Sequence, residues 1–225
     1  MAIDEWRTGA VEGTRTGWRS AAAVIVAVGL GLLVVFLILR ATGVDPRLAA
    51  TDPDDIAKAP AFYGGMALFG FGVWGAGAGA AFVGAIAARG GPDPYRISPM
   101  LVQAGLLTTF LAIDDMYQLH ENGFQRIGIP QKVVILAYVA IVIVWAWANR
   151  TAIRATEFPI AVVGLGFFAL SVLLDEEVLG ISRGPFFEDT PKIIGICLWT
   201  LWLSRTAIRL VRSQRDAAAT TAAAA

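Results

Sequence analysis

Between Asp114 and Glu121 the chain reads Asp-Asp-Met-Tyr-Gln-Leu-His-Glu, which places three carboxylates and the only histidine within eight positions. Carboxylate oxygens with one imidazole suit a hard or borderline divalent cation. Calcium, manganese and magnesium fit best, iron and zinc are admissible, and copper(I), which prefers sulfur, is not. Two further acidic groups follow, Asp175-Glu176-Glu177 and Glu188-Asp189, the latter leading through Thr190-Pro191 to Lys192. Glu188 and Lys192 stand at i and i+4, in the favourable acid-first order. The candidate metal ligands are therefore Asp114, Asp115, His120, Glu121, Glu176, Glu177 and Glu188. If the groups instead divide catalytic roles, Asp115 or Glu121 is the base, His120 the acid, and Lys192 steadies an anion.

These residues sit at the ends of apolar runs. The chain has 225 residues, 56% hydrophobic and 16% charged, with a mean hydropathy of +0.64, whereas a soluble domain carries about 25% charged residues. Residues 21–39, 61–88, 97–113, 133–148, 158–174 and 193–204 contain no charge. About 20 apolar residues cross the roughly 30 Å hydrocarbon core. The expectation is an all-α polytopic membrane bundle with six spans, at 20–40, 61–88, 99–121, 131–149, 158–179 and 190–211. Residues 1–19 form a cytoplasmic N-terminal segment, 20–212 the transmembrane domain, and 213–225 a disordered tail. The first apolar run exceeds the 7–15 residues of a signal-peptide core, so it is read as a retained helix. The single Cys197 excludes an internal disulfide and a cysteine-rich metal site. A net charge of zero gives no sign of a nucleic-acid partner. The lipid bilayer is the expected surrounding.

Charge distribution sets the orientation. With six spans both termini share a side, and that side holds Arg7, Arg15, Arg19, Arg89, Arg96, Arg150, Arg154, Arg205, Arg209, Arg212 and Arg215, eleven of the 18 basic residues. The positive-inside rule makes it cytoplasmic. Twelve of the 18 acids fall on the other, outer side. Acids contribute little to topology, so their accumulation at the outer end needs its own cause.

Local signals place the site. If the third predicted helix starts at Pro99, with Ser98 as its cap, Asp114 and Asp115 lie just inside the outer boundary. At about 100° per residue Asp114, Tyr117, Gln118 and Glu121 share a face, Asp115 lies at its edge, and His120 falls beyond the opposite edge. One helix thus makes one wall, and the outer ends of the fifth and sixth predicted helices supply the others. Pro159 and Thr190-Pro191 mark the starts of those two helices. The Asp52-Pro53-Asp54-Asp55 loop lacks the glycine and final glutamate of a calcium-binding EF-hand and is read as a solvated turn. The glycine-rich second helix carries a GxxxG pair, Gly75 and Gly79, expected to serve internal packing, with self-association or a membrane-protein partner as the alternative.

The patterns DDxxxxHE, from Asp114 to Glu121, and EDxPKxxG, from Glu188 to Gly195, resemble those of uncharacterised bacterial multi-pass membrane proteins, over about a tenth of the chain. The resemblance implies a bacterial inner-membrane protein and no particular activity. Alkaline ceramidase-like hydrolases and membrane desaturases need several histidines and are excluded by the single His120. The functional expectation is an outward-facing carboxylate and histidine site binding a divalent cation. The alternatives are a metal-dependent enzyme acting on a lipid or lipid-linked substrate at the outer leaflet, and a non-catalytic subunit whose acids form a salt-bridged lock.

Overall fold

The computed structural model describes residues 2–43, 45–47, 65–175 and 185–223, with the side chains of 2–16, 122, 175 and 185–188 excepted. The regular elements among them are helices: α1 (Ala2–Ala41), α2 (Gly65–Ala87), α3 (Ile97–Tyr117), α4 (Gln131–Ala148), the short α5 (Arg150–Arg154), α6 (Phe158–Asp175) and α7 (Pro185–Ala223). Helices satisfy their own backbone hydrogen bonds, which lipid cannot do for them. Five are long and apolar enough to cross a membrane: Gly17–Ala41 within α1, α2, α3, α4, and Asp189–Ala223 within α7. The apolar stretch of α6, Phe158–Leu174, is shorter.

α7 is the axis of the bundle and packs against α1, α2, α3 and α6. Its seam with α2 is built on glycine. Gly70 faces Ile193, Gly77 faces Thr200, and Gly84 faces Ala207. Both series advance by seven residues, so α2 and α7 run parallel with one face of each kept in register. A Cβ on Gly77 would come within 2.6 Å of Thr200 Oγ1, and one on Gly84 within 2.3 Å of Ala207 Cβ. Across the seam, Thr200 Oγ1 donates to the Val73 carbonyl at 3.0 Å. Gly75 and Gly79, the expected packing pair, are different: a Cβ added at either would meet no other part of the described chain within 4 Å. The reason is angular: at about 100° per residue, Gly75 lies some 200° around the helix from Gly77. The internal packing role belongs to the other glycine stripe.

The remaining helices alternate in direction around this pair. Ser98 Oγ donates to the Ala85 carbonyl at 3.0 Å, and Gly105 packs on Phe82, so α3 is antiparallel to α2. Tyr138 reaches Asp114, and Asn149 Nδ2 donates to Gln103 Oε1 at 2.8 Å, so α4 is antiparallel to α3. Gly164 packs on Leu198 and Gly195 on Phe168, so α6 is antiparallel to α7. α1 lies along α6 and α7 and turns Ala21, Ile25, Val28, Leu32, Phe36 and Leu39 to the core at helical spacing. Within that core the indoles of two tryptophans are satisfied by threonine: Trp199 Nε1 donates to Thr108 at 2.8 Å and Trp202 Nε1 to Thr156 at 2.9 Å.

Several boundaries differ from expectation. Asp93 caps α3 in place of Ser98, its carboxylate accepting the N–H groups of Ile97 and Ser98 at 2.7 and 2.8 Å. Pro191 lies inside α7, which begins at Pro185. The expected disordered tail continues α7 to Ala223, consistent with the high helix propensity of alanine. The N-terminal segment is likewise helical from Ala2. At 1.5 Å per residue α1 and α7 each reach about 60 Å, twice the hydrocarbon thickness. The Asp52-Pro53-Asp54-Asp55 loop lies outside the described residues.

The seam generates a test. Gly84→Val and Gly77→Leu should each destabilise the detergent-solubilised protein by about 1–3 kcal/mol through overpacking. Gly75→Ala and Gly79→Ala should leave monomer stability within about 0.5 kcal/mol. Thermal or denaturant unfolding compares the two pairs.

Candidate functional site

α3 ends sooner than its sequence suggests, and the site depends on that ending. Gln118 adopts φ 48°, ψ 43°, a left-handed conformation rare for a side-chain-bearing residue, and its N–H bonds back to the Asp114 carbonyl. A single π-type turn, Leu119–Gly123, follows, and Phe124 N–H donates to the Leu119 carbonyl at 2.8 Å. His120 and Glu121 are therefore not on the α3 surface, where a continued helix would have put them. The turn folds His120 back over the preceding turn of helix, and Nδ1 comes 2.6 Å from Asp114 Oδ2.

Asp114 is almost wholly buried, 4% exposed, and both its oxygens are engaged. Oδ2 meets His120, and Oδ1 accepts the Tyr138 hydroxyl of α4 at 2.6 Å. Tyr138 is itself edge-on to Phe110 of α3, with centroids 5.3 Å apart. The other imidazole nitrogen, Nε2, lies 3.4 Å from Glu121 Oε1. Asp115, one position on and about 100° around the helix, turns to α7 and pairs with Lys192. Lys192 also lies 3.8 Å from Asp189 one turn earlier.

The structure thus brings Asp114, His120 and Glu121 into one network and places Asp115 with Lys192 beside it. Glu176 and Glu177, and the side chain of Glu188, lie outside the described residues. Among the described residues no group of three or more His, Cys, Asp or Glu side chains is arranged to hold a metal ion. Cys197 packs against the core from α7.

Burial alone would lower the His120 pKa, but the hydrogen bonds to Asp114 and Glu121, reinforced by their charges, outweigh it and push it up to about 9. The imidazole is a cation at neutral pH and donates from both nitrogens. The hydrogen bond from His120 holds the Glu121 carboxyl below its ordinary range, against the opposing effect of burial. Because the native state raises the pKa of His120 from 6.5, its contribution to stability is complete below about pH 6.5 and is lost as pH rises through about 9. The melting temperature should accordingly fall between pH 6.5 and 9, and His120→Gln should remove that fall. An unchanged slope in the variant would show that another group titrates.

A second buried charge cluster closes the opposite end of the bundle. Glu157, 1% exposed, sits just before α6. Arg205 Nε lies 2.6 Å from its Oε2, and Nη2 donates to Oε1 at 3.0 Å. Arg209 Nε lies 3.2 Å from Oε1. By sequence Glu157 reads as an ordinary loop acid. The signal that could have found it is the Arg205 and Arg209 pair, spaced i,i+4 on an otherwise apolar helix face, which calls for a buried counter-charge. Glu157→Gln leaves two half-buried guanidiniums facing each other and should cost on the order of 3 kcal/mol, measured as loss of thermal stability at neutral pH.

No curated protein and no solved structure matches the chain. The family model described as Domain of unknown function (DUF8692) matches residues 20–206, a span holding the whole Asp114–His120–Tyr138 network and the Glu157–Arg205 pair. The chain belongs to the DUF8692 family.

Proposed function

We propose that this is a six-span protein of the bacterial cytoplasmic membrane, both termini cytoplasmic, with a divalent-cation site at the outer end. The alternating directions of α2, α3, α4, α6 and α7 support the six spans, with the short α6 completing the count. The eleven arginines clustered by sequence at one end support the orientation. The bacterial assignment rests on the motif resemblance alone.

One observation carries the cation reading. Asp114 holds His120 by Nδ1, the arrangement by which a carboxylate orients a metal-binding imidazole and fixes its tautomer. That leaves Nε2 directed at Glu121 Oε1, 3.4 Å away. Two donors bonded to one cation at about 2.1 Å stand about 3.0–3.4 Å apart. Asp114 is then a positioning residue held by Tyr138, and His120 and Glu121 are the ligands. Glu176, Glu177 and Glu188 remain candidates for further ligands by sequence.

A cation must displace the Nε2 proton. Its apparent affinity should therefore rise about tenfold per pH unit up to about pH 9. Manganese, calcium, magnesium, zinc and iron(II) are added in turn to metal-stripped protein and the melting temperature is read. Stabilisation by at least one of them, lost in both Glu121→Gln and His120→Gln and steeper at pH 8 than at pH 6.5, is the expected result. The absence of any shift across the series at either pH would sink the reading.

A second reading has its own observation. Lys192 joins Asp115 of α3 to Asp189 of α7, a salt-bridged lock between helices that needs no ligand. This suits a subunit of a membrane complex. The open glycines Gly72, Gly75 and Gly79 on α2 offer such a partner, or a second copy, a face for close helix approach.

A further inference from the structure

The arginine end of the bundle is a surface of a different kind from the site end. Among residues 17–223 that the structure describes, Arg19, Arg89, Arg96, Arg150, Arg154, Arg205, Arg209, Arg212 and Arg215 belong to it, against the acids Asp93, Glu157 and Asp216. The two described lysines, Lys132 and Lys192, are elsewhere. Arginine differs from lysine in offering a rigid planar fork that binds phosphate through two parallel hydrogen bonds. The acids do little to neutralise the excess. Asp93 is committed to the α3 N–H groups. Glu157 is sealed beneath Arg205 and Arg209, engaging Nε and Nη2 of the first and Nε of the second. That buried carboxylate fixes both guanidiniums in place while cancelling only one of their charges.

The depth of this cluster identifies its surroundings. Arg209 is seventeen positions beyond Lys192 on the same helix, about 26 Å at 1.5 Å per residue, close to the roughly 30 Å hydrocarbon thickness. With Lys192 at one boundary, Arg209 lies near the other, at headgroup level, and Arg205 about one turn deeper. Exposed tryptophans mark the same level. Trp147 is 70% exposed at the end of α4, with the Arg150 guanidinium stacked 5.0 Å from its ring centroid. Trp18 is exposed one position before Arg19. Tryptophan rings of this kind sit at the lipid–water interface.

We propose that this end binds the phosphate groups of anionic phospholipids. Arg205 and Arg209 are held ready by Glu157, and the exposed Arg150, Arg154 and Arg212 complete an electropositive rim. The inference rests on the membrane-spanning part of the reading above and not on the cation site. Each juxtamembrane arginine contributes to attraction by an anionic leaflet, and that attraction weakens with salt.

The test uses the full chain in a neutral detergent. Phosphatidylglycerol, phosphatidylcholine or inorganic phosphate is added at equal phosphorus, and the melting temperature is followed. Phosphatidylglycerol should raise it by about 3 °C or more, with the gain largely lost in 0.5 M salt and in the combined variant Arg150→Gln, Arg154→Gln, Arg212→Gln. Those side chains are exposed and make no ion pair described within the fold; Arg150 alone has local contacts, its Nη1 donating to the Trp147 carbonyl at 3.0 Å. The lipid-free melting temperature of the variant should therefore stay within about 3 °C of the parent, and its lipid response is read against its own lipid-free value. An equal response to phosphatidylcholine, or a full phosphatidylglycerol response in the variant, overturns the proposal. Equal stabilisation by inorganic phosphate also overturns it and assigns the arginines to a soluble anion. Two controls separate this proposal from its premises. Release of the protein from vesicles by an alkaline carbonate wash would instead defeat the membrane-spanning reading, while Glu121→Gln should leave the lipid response intact.

Discussion

The register between α2 and α7 is the constraint on which the other arrangements depend. Three glycines seven residues apart let one helix lie directly on Ile193, Thr200 and Ala207 of the other. Such an approach gains dispersion energy in lipid, where apolar burial contributes no driving force between helices. It also fixes the height of α7, and α7 carries a cation group near each end. At one end Lys192 is level with Asp115 of α3. At the other, Arg205 and Arg209 are level with Glu157 before α6. A slip of one turn, about 5.4 Å, would separate both sets at once and leave largely buried carboxylates without their partners.

Charge pairing then explains the division of labour in the acidic motif. Adjacent carboxylates on one helix repel unless something separates or neutralises them. Here they are separated by direction. Asp114 turns towards α4 and is satisfied by Tyr138 and His120, and Asp115 turns towards α7 and is satisfied by Lys192. The two therefore have different work. Asp114 is buried, has both oxygens occupied, and orients an imidazole. Asp115 ties two helices together. His120 Nε2 and Glu121 face each other on the turn that follows, beyond the helix that carries the aspartates.

The ends of the bundle contrast in mechanism as well as in sign. At the site end Asp114 and Glu121 flank a histidine whose pKa they push up to about 9. The opposite end carries permanent positive charge on arginines, pinned by a carboxylate that is itself out of reach of solvent.

Much was legible in the sequence, because lipid imposes simple rules. Charge-free runs near membrane length point to the helices, arginine placement to the asymmetry of the two ends, and Asp114 to Glu121 together with Lys192 to the region where charges meet. The differences are local. A helix drawn straight through Gln118 sends His120 away from Asp114, because no sequence rule predicts a left-handed glutamine followed by a π turn. The GxxxG pair Gly75 and Gly79 matches a familiar spacing, while the stripe that packs, Gly70, Gly77 and Gly84, repeats every seven residues and does not. Glu157 looks like any loop acid. Which segments are long and apolar enough to cross a membrane, and which charges must find partners, could be read from composition and spacing alone. Who partners whom was settled by packing in three dimensions. That choice depends on angular position around each helix, on the height at which helices lock, and on where a helix stops, and these are properties of surfaces meeting rather than of any one segment.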